Sequence, residues 1–467
     1  MNRVLTTAVV LVLSSCSSER PDRGNQTVRP APIDEPVASP VPDEEPGEGS
    51  GSTDAGPGQD GGTVEDGGAA LDGGVGDGGP APDGATSGVA FVSVATGGAH
   101  TCALTATGEA FCWGRAESGQ LGIPVPTITC RASGGTFPCS MVPVAVRGGR
   151  TFTMLAGGGA HTCGLTGDGS AYCWGSNTYG QLGDGSTTNR TQPVAVATGL
   201  KFASIDAGAM HTCALTSTGA AWCWGRNNRG QLGDGTSTAR SLPVAVAGGR
   251  TFQQVSAGGF NVGHTCALAA TGEAWCWGDN ERGQLGIGSA DVDVSHRTPA
   301  LVVGGHRFAS LSAGLGRHTC ALTAAGEAWC WGENSFGALG DGTSGGGSFP
   351  TGFDRSSPVR VVGGLVFAEI AAGGFIGHTC AITTERVAYC WGDNEIGAIG
   401  DGTTIDRFAP ARVAGGLTLE GIDAGFRHTC AFASTGALYC WGANGAGQLG
   451  IGSDTGSPVP VKVLRQP

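Results

Sequence analysis

The sequence predicts an all-β fold, a β-propeller of seven blades with four antiparallel strands each, and three observations carry that prediction. A unit clearest at His211–Gly235, HTCALTSTGAAWCWGRNNRGQLGDG, occurs seven times, beginning at His100, His161, His211, His264, His318, His378 and His428. The intervals between these residues are 61, 50, 53, 54, 60 and 50, a period that belongs to a repeat architecture rather than to independent domains. Each unit also supplies four short β-prone runs that cannot bury an apolar face by themselves. Blades arranged radially bury that face and shelter the strand edges.

In chain order, the first run of a unit is led by Phe and ends in Ala-Gly, as in Phe202–Gly208, Phe252–Gly258 and Phe367–Gly373. The second and third runs flank a turn such as Ser217-Thr218-Gly219 and read as a β-hairpin with Gly in the left-handed position. The fourth is a Pro-Val run after each Gly-Gln-Leu-Gly loop: Pro193–Val196, Pro243–Val246, Pro358–Val362. One strand near Phe91–Ala95 precedes the first His, and an extra Pro-Val run, Pro458–Val463, follows the last loop. Counted blade by blade, this C-terminal strand is expected to complete the first blade and so close the ring.

Cysteine spacing refines the hairpin. A Cys two residues after each His is followed ten residues later by another, which pairs Cys102 with Cys112, Cys163 with Cys173, Cys213 with Cys223, Cys266 with Cys276, Cys320 with Cys330, Cys380 with Cys390 and Cys430 with Cys440. If Thr216 opposes Ala220 across a three-residue turn, Cys213 falls opposite Cys223, within reach of a cross-strand disulfide. Cys130 and Cys139 pair within the one insertion that contains Cys, which leaves only Cys16 of the 17. Full pairing fits an oxidising compartment. Structural zinc sites usually show closely spaced pairs such as C-x-x-C; the chain has none, so neither a metal site nor a cofactor is expected.

The Gly-x-His-Thr-Cys-Ala-Leu-Thr, Trp-Gly-x-Asn and Gly-Gln-Leu-Gly elements resemble the repeat of the regulator of chromosome condensation (RCC1) family over residues 88–467. The resemblance implies a seven-bladed propeller. The wider superfamily includes secreted bacterial propellers that inhibit β-lactamase, which implies an inhibitor-like subtype. The family's eukaryotic activity, guanine-nucleotide exchange on a small GTPase, is the alternative that the resemblance brings.

Ahead of the repeats the chain changes character. Residues 1–15 have a charged start, an apolar run from Val4 to Leu13 and a small-residue end, the pattern of a secretion signal too short to span a bilayer permanently. Leu13-Ser14-Ser15-Cys16 resembles a bacterial lipobox, which implies lipidation at Cys16 and export to the cell envelope; Ser17 favours the outer membrane by the same resemblance. Residues 16–87 are the lipidated Cys and a Pro/Gly/Asp-rich acidic linker, whose composition cannot offset its ordering entropy and predicts a disordered tether. Residues 17–87 hold 15 acidic and 3 basic side chains, leaving 24 acidic and 22 basic for the propeller. Near-neutral charge, with Lys201 and Lys462 the only lysines of the chain, argues against nucleic acid as a partner. Membrane contact is expected only through the anchor.

No blade adds a nucleophile and carboxylate to its His, so no catalytic residue is assigned and the protein is expected not to be an enzyme. The repeated His is expected to be a hydrogen-bonding post between the Ala-Gly turn and a neighbouring blade, and the Trp of each Trp-Gly to be inter-blade core. Asp-Gly loops such as Asp184-Gly185 read as turns, lacking the alternating carboxylates of a calcium loop. Function is therefore expected in what varies: the long loops Ile123–Val142, Ile287–Thr298 and Asp341–Ser357, and the turn before each His. There Met210, Phe260, Leu315, Phe375 and Phe426 are candidate partner-binding residues, either forming an apolar patch at the channel mouth or buried against the next blade. The sequence thus predicts a monomeric, exported binding scaffold for an unidentified protein or glycan of the cell envelope.

Overall fold

The computed structural model describes residues 89–132, 135–259, 263–345, 353–374 and 377–464. These form 29 strands in seven antiparallel sheets. The third blade is representative and runs, from the central channel to the rim, Phe202–Ala207, His211–Thr216, Ala221–Gly225 and Arg240–Ala245. Strands of the second kind are buried from end to end, as in His161–Leu165 and His264–Leu268, because both faces pack on neighbouring blades. Rim strands alternate instead, Arg190–Ala195 exposing Thr191 and Gln192 while burying Pro193.

Turn chemistry sets the register. Thr216 N donates to Ala220 O at 3.0 Å, with Gly219 at φ +81° inside the turn. Counting back along the pair, Cys213 lies opposite Cys223 and Leu215 opposite Ala221. The disulfide expected from that register is present in all seven hairpins. Cys102 is bonded to Cys112, Cys163 to Cys173, Cys213 to Cys223 and Cys266 to Cys276, each at a Cα–Cα distance of 4.1 Å. Cys320 is bonded to Cys330, Cys380 to Cys390 and Cys430 to Cys440 at the same 4.1 Å. Cys130 and Cys139 bridge the insertion at 5.8 Å, which folds as its own hairpin, Thr129–Ala132 with Gly135–Ala145. The Pro-Val strands begin three residues earlier than their Pro, at Arg190, Arg240 and Arg355, because the pairing with the third strand starts at its Gly: Gly225 opposes Arg240, with the register slipping between Cys223 and Gly225.

Apolar cores lie between blades. One unites Cys213, Leu215, Leu232, Phe252, Val255 and Trp277 from blades three and four. The equivalent seam between blades seven and one holds Phe91, Trp113, Cys440, Leu449 and Val463. The seven core Trp side chains are completely buried, so each removes a large apolar area from water at a joint.

Closure differs from the sequence expectation. Ser457–Lys462 pairs with Leu438–Gly442 and is the rim strand of the seventh blade, not a member of the first. The first blade takes its rim strand from Gly135–Ala145, whose Pro143-Val144 is the Pro-Val run of the first repeat, displaced by the insertion. Each blade is therefore contiguous in the chain. The ring closes by packing, side-chain bonds and backbone bonds between loops and strands, such as Phe91 N to Gly436 O at 3.1 Å and Gly452 N to Met141 O at 2.9 Å, with no strand shared between its ends among the described residues.

Candidate functional site

The elements most repeated in the sequence form a continuous polar belt. Each His donates through Nε2 to the Thr Oγ1 of the next blade: His100 to Thr162, His161 to Thr212, His211 to Thr265, His264 to Thr319, His318 to Thr379, His378 to Thr429 and His428 to Thr101, at 2.9–3.0 Å. The same Thr hydroxyl donates to a backbone carbonyl of the preceding blade, that of Gln120, Gln181, Gln231, Gln284, Ala338, Ala398 or Gln448, at 2.8–3.0 Å. That carbonyl also accepts the next blade's Trp Nε1–H at 2.9–3.0 Å. A hydroxyl has one proton, and here the carbonyl takes it, so the imidazole must be the Nε2–H tautomer. Burial holds the rings neutral by pushing their pKa down, to about 3 at His211 and about 4 at His100.

The His post thus reaches the neighbouring Thr rather than the Ala-Gly turn. The turn is fitted to the ring instead: a Cβ on Gly208 would sit 2.5 Å from His211 Cε1. The last Gly of the Gly-Gln-Leu-Gly loop is constrained in the same way. At Gly233, with φ +66°, a Cβ would come within 2.7 Å of Trp277 Nε1. The Asp-Gly loops are saturated by donors, Asp184 Oδ1 accepting from Ser186 N at 3.0 Å and Asn177 Nδ2 at 3.1 Å, and Oδ2 from Arg190 Nε at 2.9 Å. Asn177 itself accepts Leu182 N at 3.0 Å, which fixes the loop.

Inside the ring is a channel of ≈ 470 Å³ lined by the first strands, with Asp206, Ser256, Ser312, Glu369 and Asp423 among its polar groups. Four of these join blades. Asp206 Oδ2 accepts Ala257 N at 2.9 Å, Ser256 Oγ accepts Ala313 N at 3.1 Å and Ser312 Oγ accepts Ala372 N at 3.0 Å. Asp423 Oδ2 accepts both Thr96 N at 2.7 Å and Thr96 Oγ1 at 3.0 Å. Glu369 has one long partner, Ile422 N at 3.5 Å. Burial pushes the carboxyl pKa up at Asp206, to about 6 at Asp423 and to about 7 at Glu369, where the Asp423 charge adds to the effect.

Glu369 in the folded ring therefore holds a proton that the unfolded chain releases near pH ~4.3, and stability falls as pH rises from there through about 7. Glu369→Gln is expected to remove this slope, raising Tm at pH 8 by roughly 1–3 °C and giving no gain at pH 4. Thermal melts of both proteins at the two pH values check it.

At one end of the channel, the residues before each His and after each Trp-Gly meet pairwise: Ser176 N donates to Ala160 O at 2.8 Å, Arg226 N to Met210 O at 2.9 Å and Asp279 N to Gly263 O at 2.9 Å. This face carries the ion pairs Arg229–Asp279 (3.7 Å), Arg229–Glu281, Arg317–Glu281 (4.0 Å) and Arg427–Glu395 (3.8 Å). Burial and the Glu281 charge push Asp279 up to about 6. Of the apolar candidates, Leu315 is buried, while Met210 and Phe426 are half-buried and line one cleft. Phe260 and Phe375 lie outside the described residues, as does Cys16. No group of three or more His, Cys, Asp or Glu side chains that could hold a metal occurs among the described residues.

A family model described as RCC1-like domain matches residues 80–314 and 194–467. The chain belongs to the RCC1-like domain family. Among RCC1-like relatives, the ultraviolet-B receptor UVR8 of Arabidopsis thaliana is 29% identical over 342 residues, 72% of this chain and 60% of the receptor. The mitochondrial RCC1 domain-containing protein RUG3 of the same plant is 34% identical over 158 residues, 32% of this chain and 33% of that protein. The chain thus spans less than two thirds of the length of these relatives. Two solved structures share the RCC1-like fold: human WBSCR16, with TM-score 0.64 at 21% identity over 76% of this chain and 94% of that one, and yeast RCC1 (Prp20) bound to Kap60, with TM-score 0.64 at 21% identity over 80% and 85%.

Proposed function

We propose that the protein is a non-enzymatic, lipid-anchored component of the cell envelope whose RCC1-like propeller binds a protein or glycan through the channel-mouth face, with an inhibitor-like binder of an exported enzyme as one form of that role. The observation that carries this reading is the use of the repeated polar groups. His, Thr, Trp and the loop carbonyl are consumed in holding blades together, which leaves the varied residues at the mouth, such as Met210, Arg226, Asp279 and Phe426, as the part that differs from blade to blade. A rigid scaffold presenting varied loops is suited to recognition. Yeast Prp20, which shares the fold, was crystallised with the protein Kap60.

Two measurements test it. Cys16→Ser is expected to move the protein from the membrane fraction to the soluble fraction, and an unchanged membrane fraction would remove the anchor from the proposal. Crosslinking on intact cells through a photoreactive group at Arg226 is expected to give a discrete adduct that the same group at the rim residue Gln192 does not. Equal adducts from both positions, or stimulation of nucleotide release from a small GTPase by the purified protein, would overturn it.

A further inference from the structure

The mouth is not symmetric, and its asymmetry indicates what it holds. Between blades two and three lies a cleft of ≈ 330 Å³ lined by Gly159, Ala160, Tyr179 and Met210, with Phe426 of blade seven as its far wall. It exists because the turns of blades one and two are built from small residues, Gly97-Gly98-Ala99 and Gly157-Gly158-Gly159-Ala160. A side chain on Gly98 would strike the Phe426 ring, its Cβ falling 2.8 Å from Cε2. Opposite, Arg226 organises the other wall: its guanidinium stacks on Tyr179 at 5.0 Å and donates through Nη1 to Met210 Sδ at 3.1 Å.

The charge on this face divides along the same line. In the two rows formed by the residues before each His and after each Trp-Gly, blades seven, one, two and three carry Arg427, Arg115 and Arg226 with no acid; blades four to six carry Asp279, Glu333 and Asp393 with only Arg317. Of the three cleft-side charges, Arg115 pairs with Glu117 at 2.6 Å and Arg427 reaches Glu395 of blade six at 3.8 Å. The half-ring around the cleft is therefore basic and the opposite half acidic, on a propeller close to neutral overall.

We propose that this cleft receives a single large apolar side chain of a partner protein segment in which that side chain is flanked by carboxylates. The proposal rests on the binding-scaffold reading above and specifies the chemistry of its partner. Apolar walls of Met, Phe and Tyr desolvate the anchor, a flexible thioether and a small floor admit its shape, and the Arg residues at the rim meet the flanking acids, which sets partner choice and association rate more than depth of binding.

The test uses the full chain purified in detergent and fluorescein-labelled peptides that present one Trp between two Glu-Asp pairs, the same Trp between Lys pairs, or a Ser in place of the Trp. Only the first is expected to raise fluorescence anisotropy, with binding that weakens as salt is added. Repeat-swapped variants keep the fold. Ala160→Met installs in blade two the residue that blade three has at that place, filling the cleft, and is expected to weaken binding about tenfold or more. Arg226→Ser copies Ser176 of blade two and is expected to weaken it less while flattening the salt dependence. Equal binding of the Lys-flanked peptide, binding of the Ser peptide, absence of binding by the acidic Trp peptide, or indifference to Ala160→Met would each overturn the proposal. A peptide of residues 54–83, acidic and free of aromatics, serves as competitor; displacement of the Trp peptide by it would assign the cleft to the chain's own tether and likewise overturn it. The adduct at Arg226 is read separately: if it forms while the peptides fail, the scaffold reading stands and the assigned chemistry falls.

Discussion

Trp277→Ala is expected to lower the unfolding free energy by about 3–5 kcal/mol, the range for emptying a fully buried aromatic site. Its indole is completely buried in the joint between blades three and four, against Leu215, Leu232, Phe252 and Val255. Truncation also leaves Gln231 O without the Nε1–H donor it accepts at 3.0 Å, though Thr265 Oγ1 remains at 2.8 Å. The neighbouring Trp275 supplies the control. It sits two residues earlier on the same strand, half-buried under Arg250, whose guanidinium lies 3.5 Å from its ring centroid. Trp275→Ala should cost well under half as much, since most of what it loses is a partly exposed stacking contact. Denaturation in urea under oxidising conditions measures both; equal losses would show that the joints do not carry the stability assigned to them.

Removing residues 453–467 should be of comparable or greater effect, because it strips the seventh blade of its rim strand and opens the seam to blade one. Val463 is buried there beside Trp113, and its N–H donates to Leu438 O at 2.9 Å. Burial of the Val463 side chain alone is worth about 1.5–3 kcal/mol, before the ladder from Ser457 to Lys462 is counted. Should the truncated chain fail to fold, single substitutions keep the comparison available. Val463→Ser should lower the denaturation midpoint clearly, whereas Val459→Ser, at an exposed position of the same strand, should leave it within error. A truncated protein with the parent's midpoint would show that the seam is held without this strand.

Much of the fold was legible because the repeat fixes distances along the chain: ten residues from Cys213 to Cys223 around a three-residue turn admit one register. Ring closure is not legible, since the insertion before Pro143 hides the rim strand of blade one inside a longer strand that also pairs with Thr129–Ala132. The Thr of His-Thr-Cys recurs in every copy, and that recurrence is its only signal in the sequence, because a hydroxyl has no pattern of its own until a neighbouring blade supplies its partners. Asp206, Glu369 and Asp423 are not legible for a different reason. Asp206 and Asp423 occupy a position of the first strands that other blades fill with Ala or Ser, and Glu369 one filled elsewhere with Ser, Met, Gln or Gly, so no repeat marks them, and only the channel makes them neighbours.

The closed belt has a direction: each blade turns its imidazole and its loop carbonyl toward the next blade and its Thr hydroxyl and Trp Nε1–H toward the one before, and the joint between blades seven and one uses the same kinds of contact, through His428, Thr101, Trp113 and Gln448, as the other six. A circle whose seam is chemically like the rest of its circumference has no privileged starting wedge. Evolution can therefore open such a chain at any inter-blade loop, or drift its ends round the ring, without redesigning a single contact surface.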